Sequence, residues 1–168
     1  MTLKGSCHCG NLEVELETAI APEAFEVRAC QCSFCSRHGA RTISDPQGRL
    51  TIRIADPDKL CRYRFGLQTS EALVCGNCGC YVAAVMPEPL QRATLNARVL
   101  TEWERFTAPA KEVDYSNETK DDRIARRKRG WTPTELVLTP ADPTSARAGA
   151  SGESRSRAPR APTKRPRA

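Results

Sequence analysis

The sequence predicts a mainly β fold with a single credible helix, on three observations. Short runs alternate apolar and polar residues, most clearly Leu12-Glu13-Val14-Glu15-Leu16-Glu17, the period of two that a half-buried strand requires. Turn-forming stretches separate the runs: Ala21-Pro22, Asp45-Pro46-Gln47-Gly48, Asp56-Pro57-Asp58 and Met86-Pro87-Glu88-Pro89. A helix signature appears once. Thr119-Lys120-Asp121-Asp122 has the form of a capping box, Arg126-Arg127-Lys128-Arg129 suits the negative end of the dipole, and Gly130 fits the C′ position.

In chain order, Gly5-Ser6-Cys7-His8-Cys9-Gly10 reads as a tight turn whose glycines let both sulfurs reach one ion. Residues 11–17 follow as a strand with Leu12, Val14 and Leu16 inward. The glutamates between them are spaced too regularly for a catalytic carboxylate pair, so they read as a solvated face. Residues 25–29 alternate into Cys30-Gln31-Cys32-Ser33-Phe34-Cys35, which puts Cys30 at a strand end and Cys35 in the next loop. Residues 50–54 form the next strand, and residues 60–66 another, with Cys61, Tyr63 and Phe65 on one face. Cys61 has no cysteine near it in sequence and reads as a small buried hydrophobe. Residues 69–74 lead into the Cys75-Gly76-Asn77-Cys78-Gly79 turn. Strands at 81–85 and 93–100 follow, Cys80 being read as packing, and Trp103 and Phe106 as core.

Composition bounds the rest. With 39% hydrophobic and 5% aromatic residues in a chain of 168, the core is modest and needs staples. The net charge of +6 is carried by the tail: residues 143–168 hold seven of the 26 Lys and Arg and one of the 20 acids, leaving nineteen of each sign before them. The organisation expected is a zinc-binding domain over residues 1–138 and a disordered, basic, Pro/Ala/Arg-rich tail over 139–168. That tail has no aromatic to stack on bases, so a solubility role is favoured over weak, salt-sensitive contact with nucleic acid or another polyanion. The Arg126-to-Arg129 run reads likewise as helix-end charge before it reads as a phosphate site. No apolar stretch approaches the roughly 20 residues of a membrane span, and the start lacks the apolar run of a secretory signal. The expected address is cytoplasmic.

Nine cysteines in such a chain point to reduced, metal-binding thiols rather than disulfides. Three thiols within six residues, Cys30, Cys32 and Cys35, would repel one another as thiolates unless a cation held them. Zinc suits sulfur ligands, and three protein ligands leave a coordination position open for chemistry. Cys75-x-x-Cys78-Gly79 reads as a zinc knuckle; the redox reading of the same motif needs a βαβ context that is missing here. His38 is a possible fourth ligand, though a loop histidine bonded to backbone is the favoured reading, and His8 should point away from its neighbours' metal. Arg37 and Arg41 stand near enough to bind a carboxylate, but surface arginines are as often unengaged, so neither enters the candidate site.

Gly5-x-Cys7-x-Cys9-Gly10-x-Leu12-x-Val14-Glu15, then Cys30-x-Cys32-Ser33-x-Cys35, Tyr63-Arg64-Phe65-Gly66 and Cys75-x-x-Cys78-Gly79 resemble the glutathione-dependent formaldehyde-activating enzyme and centromere protein V family, over roughly residues 3–130. The resemblance implies a β-tent, a fold of small antiparallel sheets around zinc. It also implies two zinc ions, one closed and structural on Cys7, Cys9, Cys75 and Cys78, the other open and catalytic on Cys30, Cys32 and Cys35. The function implied is that of a carbon–sulfur lyase, forming or cleaving the adduct of a small thiol such as glutathione with an aldehyde such as formaldehyde. Val74 stands where many members carry Phe, and Cys80 where an aliphatic or aromatic residue is usual. The alternative is a non-catalytic zinc module whose basic tail binds a partner or nucleic acid.

Overall fold

The computed structural model describes residues 1–139; the tail expectation falls on residues 140–168 and lies outside them. Strands β1 (Thr2–Ser6) and β2 (Leu12–Glu17) form an antiparallel hairpin, and β5 (Arg49–Ile54) pairs with the other edge of β2. The register sets Leu12 opposite Ile54, Val14 opposite Ile52 and Leu16 opposite Leu50. All six are buried, while Glu13 and Glu17 are exposed, as the period of two requires. β11 (Thr132–Leu138) lies parallel to β5 and completes this sheet.

A second sheet contains β6 (Leu60–Tyr63), β7 (Glu71–Cys75), β8 (Tyr81–Val85) and β9 (Arg92–Asn96), each antiparallel to the next. It continues from β9 through β4 (Thr42–Ile43) and β3 (Arg28–Cys30) to β10 (Lys111–Val113). β11 joins the two sheets by pairing Thr132 and Pro133 with β9. One core cluster draws on both, with Leu12, Leu50 and Ile52 from the first and Ile43, Leu73 and Leu95 from the second. The fold is mainly β with few helices, as expected.

Several local expectations are corrected. The pairings of β3 with β10 and of β5 with β11 are parallel, not antiparallel. Their partners are distant in sequence and return by crossovers, which parallel pairing needs. β1 takes in Gly5 and Ser6 from the expected tight turn, and its pattern offers one buried apolar residue, Leu3. Residues 97–99 are a 3-10 turn, not strand, since the Asn96 side chain accepts from the Arg98 N–H at 3.4 Å. Cys35 belongs to a one-turn helix, α1 (Ser33–Arg37), rather than to a loop. Cys61 is exposed, because β6 is an edge strand with only β7 beside it. Trp103 is 44% exposed, its ring beneath the Arg98 guanidinium at 5.5 Å, whereas Phe106 does pack on the core, 5.6 Å from Phe25.

The second helix, α2 (Lys120–Gly130), starts as expected: the Thr119 hydroxyl oxygen accepts from the Asp122 N–H at 3.2 Å. It ends one residue later, with Gly130 inside it and Trp131 as the cap. No helix among the described residues is long and apolar enough to cross a membrane.

Gly5 bridges to Leu100, and a Cβ there would lie 2.0 Å from the Val99 carbonyl oxygen. Backbone cannot yield as a side chain does. Gly5→Ala is therefore expected to cost at least about 2 kcal/mol in urea unfolding, at the upper part of the overpacking range.

Candidate metal centres and the adjoining cavity

The turn between β1 and β2 and the turn between β7 and β8 meet through their sulfurs. The Sγ atoms of Cys7, Cys9, Cys75 and Cys78 all lie within 4.8 Å of one another, with Cys7 to Cys9 at 3.7 Å and Cys9 to Cys75 at 3.5 Å. Four sulfurs about 2.3 Å from one tetrahedral ion stand about 3.8 Å apart. The spacing fits a single cation. Gly79 holds a positive φ of 74° and donates its N–H to the Cys75 carbonyl at 2.8 Å, closing the knuckle. Burial pushes the Cys7 thiol up to about 12 and raises Cys75. Against burial, the backbone N–H groups of Cys80 and Cys9 hold Cys78 down at about 6.

The second cluster is local. Cys30 ends β3, Cys32 is the N-cap of α1, and Cys35 lies in that helix; their sulfurs are also within 4.8 Å of one another. The Cys32 sulfur accepts the Cys35 N–H at 3.5 Å, which fixes the helix start. A hydrogen bond from the Cys35 thiol lowers Cys30 to about 5 against burial, helped by the Cys32 N–H and the Arg126 charge. Cys35 is raised by the same pairing. All three are half-buried.

These three thiols form part of the wall of a cavity of about 600 Å³. Aromatic rings shape one side: Phe34 meets Tyr81 edge-on at 5.1 Å and stacks on Phe65 at 5.2 Å. The lining is also cationic, with Arg28, Arg123, Arg126 and Arg127 in it beside Trp131. The sequence analysis missed this wall, reading the last two arginines as helix-end charge. A signal was present in the sequence: α2 contains Ile124 and Ala125 as its only aliphatic residues. A helix without an apolar stripe must pack by other means, here the Arg126 guanidinium over Tyr115 and the Arg127 guanidinium over Trp131.

The expected site residues come together in their two groups, four and three. His38 stays exposed, its ring tilted against Phe34 at 4.4 Å, and is outside the cluster. His8 is exposed as well. Cys80 is half-buried against the core beside Cys78. Arg37 donates to the Ser33 carbonyl and Arg41 to that of Ala40; neither lines the cavity.

The fold and site define a mainly β protein with two cysteine clusters that could hold metal ions, one of them opening on a cavity. It belongs to the glutathione-dependent formaldehyde-activating enzyme family, whose model matches residues 2–117. A crystal structure of a Rhodobacter sphaeroides protein is 28% identical, covering 66% of this chain and 99% of that chain with a TM-score of 0.53. Comparison with curated proteins returns no match.

Two clusters of this geometry should each retain a metal. Elemental analysis of the purified protein is expected to return two ions per chain, falling to one in Cys32→Ser; a single ion in the unaltered protein would contradict the two-centre geometry.

Proposed function

We propose that the protein is a zinc-dependent carbon–sulfur lyase that forms or cleaves the adduct of a small thiol, glutathione or a similar one, with an aldehyde such as formaldehyde. The observation that carries this reading is the placement of Cys30, Cys32 and Cys35 on the wall of a cavity, while the four-sulfur group stands apart from it. Cys7, Cys9, Cys75 and Cys78 would hold a structural ion and the other three a catalytic one. Zinc with three thiolate ligands would accept a substrate thiol in the fourth position and lower its pKa.

In the forward direction the substrate sulfur attacks the aldehyde carbon. A carbon–sulfur bond forms, the carbonyl becomes a hydroxyl, and the proton released by the thiol ends on that oxygen. No electrons are exchanged with an outside acceptor. The chain's own contribution is positional: the half-buried thiols fix one end of the cavity, and the rings of Phe34, Phe65 and Tyr81 exclude water from its side. The alternative, a non-catalytic module acting through its tail, draws on residues 140–168, outside those described.

Addition of glutathione to formaldehyde is reversible, so carbon-13 exchange spectroscopy on labelled formaldehyde with glutathione measures catalysis directly. The unaltered protein should accelerate exchange, and Cys32→Ser should return it to the background rate while keeping its fold. Cys78→Ser should instead unfold the chain, because structural metal binding is coupled to folding. Native mass spectrometry should show glutathione altering only the ion lost in Cys32→Ser. No acceleration and no effect of millimolar thiol on either ion would leave the non-catalytic module standing.

A further inference from the structure

The cavity carries more positive charge than its own carboxylates answer. Its titratable wall holds Arg28, Arg123, Arg126 and Arg127 against Asp114 and Glu118. Glu118 is already engaged, accepting from Arg126 Nε at 2.6 Å and Nη2 at 2.9 Å and from Arg123 Nε at 3.2 Å. Asp114 accepts from the Ser116 N–H at 2.8 Å and hydroxyl at 3.1 Å. Arg28 and Arg127 therefore have no carboxylate partner among the described residues.

Both are nevertheless withdrawn from water. Arg127 donates from Nη1 to the Thr69 hydroxyl at 2.6 Å and lies over the Trp131 ring at 4.5 Å, while its Nε is buried with no partner among the described residues. Arg28 donates to the Ser44 hydroxyl. Burial, with the Arg126 and Arg123 charges behind it, lowers the Arg127 guanidinium to about 10. Hydroxyls and rings answer a guanidinium weakly; a buried cation without a counter-ion is costly.

We propose that Arg127 and Arg28 form a carboxylate-binding subsite of this cavity, so that the protein selects thiols bearing a carboxylate over neutral thiols of similar size. A guanidinium presents a planar fork to a carboxylate, and the dry wall around it strengthens the pairing. Both guanidiniums line the same cavity as the three thiols, Arg28 from β3 and Arg127 from α2. The volume of about 600 Å³ leaves room for a small peptide or amino-acid thiol. The inference rests on the function proposed above for the sulfur end only.

The test uses the full metal-loaded chain carrying Trp103→Phe, which leaves Trp131 as the fluorescent reporter beside Arg127. Three probes are titrated: 3-mercaptopropionate, 2-mercaptoethanol and sulfur-free succinate. The acidic thiol is expected to bind about tenfold more tightly than the neutral one, the worth of one charged hydrogen bond. Arg127→Gln should abolish that preference without changing 2-mercaptoethanol binding. Equal affinities in the parent protein, or a preference that survives both Arg127→Gln and Arg28→Gln, overturns the subsite. If Arg127→Gln fails to fold, Arg28→Gln and Arg127→Lys take its place, with a weakened preference expected in each. Succinate binding that is lost in the arginine variants, with neither thiol bound, keeps the subsite and sinks the thiol reading; no binding of any probe sinks both.

Discussion

Sulfur held against sulfur is the constraint on which the rest of the molecule depends. Cys9 and Cys75 are 66 residues apart in sequence and 3.5 Å apart at their sulfurs, and that contact joins the β1–β2 turn to the β7–β8 turn. It is a second junction between the sheets, besides the pairing of β11 with β9. Neutral thiols interact weakly, and burial keeps Cys7 and Cys75 protonated when no cation is present. A cation converts weakly attracted thiols into bound thiolates, so its binding energy is added to folding. With 5% aromatic content the core has few large side chains to substitute for that tie.

The same economy governs α2. Lacking an apolar stripe, it packs through guanidiniums: Arg126 over Tyr115 at 3.6 Å and Arg127 over Trp131 at 4.5 Å. Their charges sit toward the negative end of the helix dipole, which favours them there. Packing and electrostatics are thus one arrangement. The side chains that attach the helix also make the cavity cationic, and a cationic wall lowers the cost of keeping Cys30 ionised beside Cys35.

Features set by local pattern were legible in the sequence. β2 follows directly from alternation, and the cysteine spacing marks the thiol runs, which the family resemblance groups into the two clusters that the structure assembles. Features set by long-range pairing were not. β10 is a strand because β3 offers an open edge, a fact absent from its own residues, Lys111-Glu112-Val113, and β11 lies where it does because Thr134 to Leu138 meet the open edge of β5. Cys61 misleads in the other direction: the buried habit of cysteine loses to the edge position of β6. Trp103 fails for a similar reason, since a 3-10 turn at the surface gives it one cation to cover and no core to enter. The arginine wall escaped because a basic run at a helix end has a sufficient local explanation, and only the tertiary position of α2 shows the inadequacy of that explanation.

Chain topology accounts for the different duties the two clusters can take. Closing a flexible loop costs free energy that grows with the logarithm of its length. An ion on Cys9 and Cys75 spans 66 residues, whereas Cys30 and Cys35 lie within one strand end and one helical turn. By that scaling the long closure relieves the folded chain of about 2 kcal/mol more unfolded-state entropy than the short one. Loss of the four-sulfur ion therefore releases a long-range tie between sheets. The three-sulfur segment is held independently, by the β3 pairings with β4 and β10 and by the Cys32 cap on α1. An ion held there could change its ligands without loosening the fold.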